Sequence, residues 1–95
     1  ASVDVDAYRR NRDLLYPALV SMGLEIIKPE GAFFLFPRTP MADDIEFVKR
    51  LQAERVLSVP GTGFGRPGYI RLSYAVEPDV IERGLPQFEK VMRCL

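Results

Sequence analysis

Arg71 is the side chain of this sequence best suited to hold an anion. It lies in the run Tyr69-Ile70-Arg71-Leu72-Ser73-Tyr74-Ala75. On an extended strand, successive side chains point to opposite faces. Ile70, Leu72, Tyr74 and Val76 then share an apolar face suited to a core. Tyr69, Arg71, Ser73 and Ala75 share the other, which combines a fixed cation, two hydroxyls and a small residue. A guanidinium does not deprotonate, and its planar fork matches a carboxylate bidentately. The strand alone favours a solvated arginine on the open face of a small sheet. What precedes it shifts that balance.

The preceding loop is Pro60-Gly61-Thr62-Gly63-Phe64-Gly65. A phosphate-binding loop needs a Lys-Ser/Thr pair after its glycines, and a dinucleotide fingerprint needs a helix directly after. Here a strand follows and the lysine is missing, so both nucleotide readings fail on context. A permissive turn explains the glycines. It does not explain Phe64 in their midst, or the arginine six residues beyond Gly65.

The absent residue types narrow the chemistry. The chain has no histidine, no tryptophan and one cysteine, Cys94. A Ser-His-Asp triad, a Cys-His pair and His- or Cys-rich metal sites are therefore excluded within it. One cysteine cannot form an internal disulfide, which fits a reducing cytoplasm. Thirteen basic and thirteen acidic residues give zero net charge, which argues against general binding to nucleic acid or an anionic membrane. No apolar run approaches the ~20 residues of a membrane span, and the opening residues do not show a signal-peptide pattern. Ninety-five residues, 47% hydrophobic and 27% charged, suit one small domain.

The elements that must position Arg71 follow from periodicity. Asp4 to about Met22 reads as a helix, with Tyr8, Leu15, Leu19 and Met22 on its apolar stripe, Leu14 and Ala18 beside them, and Gly23 as its stop. Pro17 predicts a kink. Arg9, Arg10, Arg12 and Asp13 form a solvated face. Leu24 to Ile27 is a short edge strand, Pro29-Glu30-Gly31 a turn, and Ala32 to Phe36 a buried strand closed by Pro37. Phe33, Phe34 and Phe36 read as core, because a base-stacking platform would need a basic groove. Asp43 or Asp44 caps a second helix to about Glu54, with Asp43 and Glu46 as a capping box and Ile45, Val48 and Leu51 as its stripe. Val56 to Val59 and Tyr69 to Ala75 are strands. Glu77-Pro78-Asp79 starts the last helix, in which Val80, Ile81, Leu85, Phe88 and Met92 follow helical spacing and Gly84 and Pro86 should bend or weaken the middle.

This order predicts an α+β fold: a two-layer sandwich with a small, mainly antiparallel sheet of three to four strands, covered on one face by helices. The strand–helix–strand unit must run parallel by a right-handed crossover. The Tyr69 strand then fits antiparallel between its two strands, with Arg71 on the uncovered face.

Four motifs in order carry a resemblance. They are Tyr8-x-x-x-Arg12-Asp13, Pro29-x-Gly31-Ala32-Phe33-Phe34, Pro60-Gly61-x-x-Phe64-Gly65 and Gly68-Tyr69-Ile70-Arg71-Leu72-Ser73-Tyr74-Ala75. Together they resemble the C-terminal small domain of fold-type I aminotransferases, the pyridoxal-phosphate enzymes related to aspartate aminotransferase. The resemblance covers residues 1–95, essentially the whole chain. It implies that Arg71 binds the α-carboxylate of an amino-acid substrate. It also implies that a large domain preceding this one holds the cofactor, through a Schiff-base lysine, an aspartate facing the pyridine nitrogen and phosphate-binding groups. Lys28, Lys49 and Lys90 do not match that lysine's motif, so no catalytic or cofactor-binding role is carried to any of them. The fragment alone should be inactive and bind no pyridoxal phosphate. In a full-length parent, the resemblance implies transamination between amino acids and 2-oxo acids, a homodimer, and packing against the chain's own large domain. Phe34 replaces a common tyrosine and removes a hydroxyl. The alternative is a self-standing carboxylate-binding or interaction module of ferredoxin-like shape.

Overall fold

The computed structural model describes residues 4–27 and 33–95. Helix α1 spans Val5–Ser21. The Asp4 side chain accepts from the Ala7 N–H at 3.0 Å, as an N-cap should. At the other end, the N–H groups of Gly23 and Leu24 return to Val20 and Leu19 carbonyls, the paired closure a helix uses at a glycine stop. The helix runs through Pro17. Leu15 and Leu19 are buried, whereas Leu14 is exposed.

Strands β1 (Ile26–Ile27) and β2 (Phe34–Pro37) follow. Helix α2 spans Asp44–Ala53, strand β3 Val59–Pro60, strand β4 Ile70–Ser73 and helix α3 Pro78–Arg93. The sheet order is β1-β2-β4-β3, with every neighbouring pair antiparallel. Strands β2 and β3 are therefore parallel to each other and linked through α2, with β4 between them, as the element order predicts. The Pro29-Glu30-Gly31 turn, most of the Pro29–Phe34 motif and Lys28 lie outside the described residues.

The helices cover one face. Leu35 on β2 and Ile70 and Leu72 on β4 point into a core completed by Leu19, Phe47, Leu51, Ile81, Phe88 and Val91. Phe47 of α2 and Phe88 of α3 meet edge to face at 5.9 Å. Each fully buried side chain of this kind contributes about 1.5–3 kcal/mol. Asn11 is the polar exception on the inner face of α1. It is 3% exposed, and its Nδ2 donates to the Tyr74 carbonyl at 3.0 Å and the Val76 carbonyl at 2.7 Å. That tie fixes the exit of β4 against α1 and satisfies buried groups that would otherwise be costly.

Four expectations are corrected in detail. The inward stripe of α2 is Asp44, Phe47 and Leu51. Leu51 is buried and Val48 packs against the core as expected, but Ile45 is 43% exposed, because 3.6 residues per turn places Phe47, four before Leu51, on the inward stripe in its stead. Strand β3 begins at Val59, and Leu57 is 80% exposed. Tyr69 makes only an isolated bridge to Arg38, so β4 is shorter than the Tyr69–Ala75 run. Finally, Phe34 and Phe36 are half-buried on the sheet face opposite Leu35, so neither belongs to the core. Phe33 instead packs edge to face between Tyr8 and Tyr74.

Candidate functional site

Strand β4 alternates as its sequence dictates: Ile70 and Leu72 are buried, Arg71 is half-buried and Ser73 is exposed. Arg71 is in register with Val59 of β3. On its other side, the pairing of Leu35 with Leu72 continues to set Phe36 opposite it. Directly opposed residues share a face, so Phe36, Arg71 and Val59 form a row across the open side of the sheet.

Aromatic rings surround the guanidinium. Its central carbon lies over the Phe34 ring, 4.6 Å from the centroid, and over the Phe64 ring at 5.8 Å. These are cation–π distances. Phe64 in turn meets Phe36 edge to face at 5.9 Å. Among the described residues, no carboxylate lies within ion-pair distance of Arg71, and its N–H groups have no hydrogen-bond acceptor. By contrast, Arg50 with Glu46 and Arg83 with Asp79 pair with neighbours on their own helices, and Arg38 pairs with Glu25 at the edge of the sheet. Arg71 thus combines a position between two rings with side-chain donors that find no acceptor among the described residues.

Phe64 reaches the open face because the glycine loop is a built turn. Gly61–Phe64 form a 3-10 helix, and Gly65, at φ 80°, ends it. A Cβ at Gly61 would stand 1.9 Å from the Arg66 carbonyl oxygen and 2.6 Å from that of Tyr69. Both obstacles are backbone, so only glycine fits. The Gly61 N–H donates to Tyr69 O at 2.7 Å, and the Arg66 N–H returns to Gly61 O at 2.8 Å.

A buried carboxylate locks this turn to α2. Asp44, 3% exposed, accepts from the Thr62 N–H at 2.8 Å, the Thr62 hydroxyl at 2.8 Å and the Gly68 N–H at 3.3 Å. The Thr62 N–H bond foremost holds its carboxyl below the ordinary value of 3.8, outweighing the opposing effect of burial. Capping itself falls to Asp43, whose side chain accepts from the Glu46 N–H at 3.1 Å. Glu46 faces Arg50 instead of completing a capping box. Sequence reasoning missed the Asp44 lock, since its partners lie 18 and 24 residues away. It also missed the rings around Arg71, although Phe64 stood out as unexplained by a simple turn.

The other lysines and cavities lie elsewhere. Lys90 of α3 pairs with Glu54 at the end of α2, in the helical layer, and Lys49 is exposed on α2. Neither joins Arg71, so the described residues include no lysine placed to hold a cofactor beside it. Arg12 pairs with its neighbour Asp13 on the solvated face of α1. An apolar cavity of about 290 Å³ opens beneath β4 against α3, lined by Leu72, Val76, Ile81, Leu85 and Phe88 among others. Among the described residues, no group of three or more metal-ligating side chains forms, and no helix is long and apolar enough to cross a membrane.

Comparison with known proteins gives one consistent result. Residues 2–88 match the family described as aminotransferase class I and II. The aspartate/prephenate aminotransferase of Thermus thermophilus is 40% identical over 89 residues, covering 92% of this chain and 23% of that protein. Aromatic-amino-acid aminotransferase 2 of Thermococcus litoralis is 36% identical over 91 residues, 90% of this chain and 23% of the relative. The crystal structure of an amino transferase from Eubacterium rectale superposes with a TM-score of 0.88 at 41% identity, covering 96% of this chain and 23% of that one. The chain spans about a quarter of the length of the relatives it matches.

Proposed function

The chain belongs to the class I and II aminotransferases, and from that premise we propose that it is the C-terminal small domain, residues 1–95, of an aminotransferase. The parent moves an amino group between an amino acid and a 2-oxo acid. The role of Arg71 is to bind the substrate α-carboxylate. The observation that carries this reading is the guanidinium itself, ringed by Phe34 and Phe64 on an open face with no acceptor among the described residues.

Arg71 meets a carboxylate in its own plane through paired N–H donors, and the fork fixes the acid's orientation as well as its position. Orientation matters because the carboxylate is attached to the substrate Cα, so the fork that holds it also places the carbon at which a bond is to be broken. Pyridoxal phosphate, when bound, takes up the electron pair released there. On this reading the cofactor's own anchoring falls to the larger part of the parent, and neither Lys49 nor Lys90 stands beside Arg71. What the chain contributes is one wall of the substrate site, with a cation rigidly set in it. The aminotransferase relatives differ in the substrates their names specify, so the side-chain specificity of the parent is set outside the Arg71 cradle, which reads only the carboxylate common to all amino acids. The homodimer, the packing against a large domain and a cytoplasmic location belong to this same reading.

The test is an assay of the full-length, cofactor-loaded parent against a panel of amino acids and 2-oxo acids. Amino-group transfer between members of the panel supports the class. Elimination or decarboxylation without transfer would assign the chain to a different reaction of the same scaffold.

A further inference from the structure

We propose that Phe64 is a positioning residue for Arg71, and that Phe34 and Phe64 together form an aromatic cradle presetting the guanidinium for an incoming carboxylate. This rests on the carboxylate-binding reading of Arg71.

Strands β3 and β4 are antiparallel neighbours, and such a pair can be joined by a two-residue turn. Here residues 61–69 intervene. The additional chain carries Phe64 back over the open face, against Phe36 and Arg71. The turn is held on both sides of Phe64. Asp44 grips Thr62 before it, and the Arg66 N–H closes onto Gly61 O after it. A connector alone needs no buried carboxylate and no glycine wedged against backbone. Together they fix where the Phe64 ring stands over the cation.

The physical benefit is preorganisation. A free arginine loses rotamer freedom when it grips a ligand. Rings that hold the guanidinium beforehand remove that cost, and because they accept no strong hydrogen bond they leave its N–H groups for the carboxylate. Phe34 supplies one ring from the rigid strand β2. Phe64 supplies the other from the turn, which makes the turn a part of the site rather than a link to it.

The experiment uses the full-length, cofactor-loaded parent and L-aspartate, or whichever panel amino acid the wild type turns over fastest. KM and kcat are measured for Phe64→Leu, Phe64→Tyr, Phe34→Leu, Arg71→Ala and the Phe64→Leu/Arg71→Ala double variant. Leucine keeps apolar bulk and removes the ring face, so Phe64→Leu should raise KM about three- to tenfold with kcat within about twofold, the pattern of lost ground-state binding. Phe64→Tyr should restore KM, and Phe34→Leu should act in the same direction as Phe64→Leu. In the Arg71→Ala background, Phe64→Leu should add nothing further, because the two side chains act as one unit. An unchanged KM in Phe64→Leu, or an equal loss with and without Arg71, overturns the cradle. An unchanged kcat/KM in Arg71→Ala overturns the carboxylate reading itself, a separate result.

Discussion

Asp44→Ala removes an acceptor that takes three hydrogen bonds from the glycine turn, and the cost can be apportioned donor by donor. The Thr62 hydroxyl lies on an exposed residue and can turn to water. The Thr62 N–H, at 2.8 Å, loses a bond to a charged acceptor; the Gly68 N–H, at 3.3 Å, loses a weaker one. Bonds to charged groups contribute about 1.5–3 kcal/mol net, and an orphaned buried donor costs a similar amount. The turn should therefore open about 3 kcal/mol more easily. Hydrogen exchange read by mass spectrometry on the full-length parent measures this directly, because protection reports local opening. Amides in residues 61–68 should exchange roughly 100-fold faster, while peptides from α1 and the middle of α3 keep their rates. Asp43→Ala provides the contrast. It removes only the cap to the Glu46 N–H, so it should cost about 1 kcal/mol and loosen the start of α2 alone. Unchanged exchange in residues 61–68 would refute the lock. So would a uniform acceleration across every peptide, since that is global destabilisation and not an unlatched turn.

Two further outcomes follow from the same turn. The folded-state carboxyl of Asp44 sits below its ordinary value of 3.8, so the ionised lock stabilises the turn fully above that value and is lost as pH falls through the lower folded value. The difference in protection between wild type and Asp44→Asn, corrected for intrinsic exchange, should be constant from about pH 7 to 5 and shrink below about pH 4; a difference growing toward acid would contradict the assignment. Gly61→Ala forces a Cβ into two backbone carbonyls and should cost at least about 1–3 kcal/mol, whereas Gly63→Ala meets nothing within 4 Å and should stay within about 0.5 kcal/mol. Thermal melts of the two variants, side by side, check that contrast.

The parts of this structure that were readable in the sequence are those governed by local period. Ile70, Leu72 and Tyr74 alternate with Arg71 strictly enough to fix which face each takes, and the parallel strand–helix–strand crossover leaves a place for β4 between β2 and β3. Where period was short or ambiguous, composition misled. Three phenylalanines in four positions look like core, yet on β2 it is Leu35 that points inward and Phe34 and Phe36 that point out beside the arginine. Asn11 was legible in principle, since a polar residue three after Tyr8 and four before Leu15 stands on the helix's own apolar stripe and must meet a buried partner. Asp44 was not. Nothing near it in sequence shows that its carboxylate is needed by Thr62 and Gly68, because that need exists only once the turn folds against α2.

The central claim is that Arg71 binds the substrate carboxylate, and kcat/KM of Arg71→Ala and Arg71→Lys in the full-length parent tests it most directly. Loss of a desolvated, charge-paired partner costs about 2–5 kcal/mol, so Arg71→Ala should lose about 30- to 5,000-fold. Arg71→Lys should recover only part of that, because a lysine cannot reproduce the planar fork. A kcat/KM within about twofold of wild type for Arg71→Ala would contradict the account.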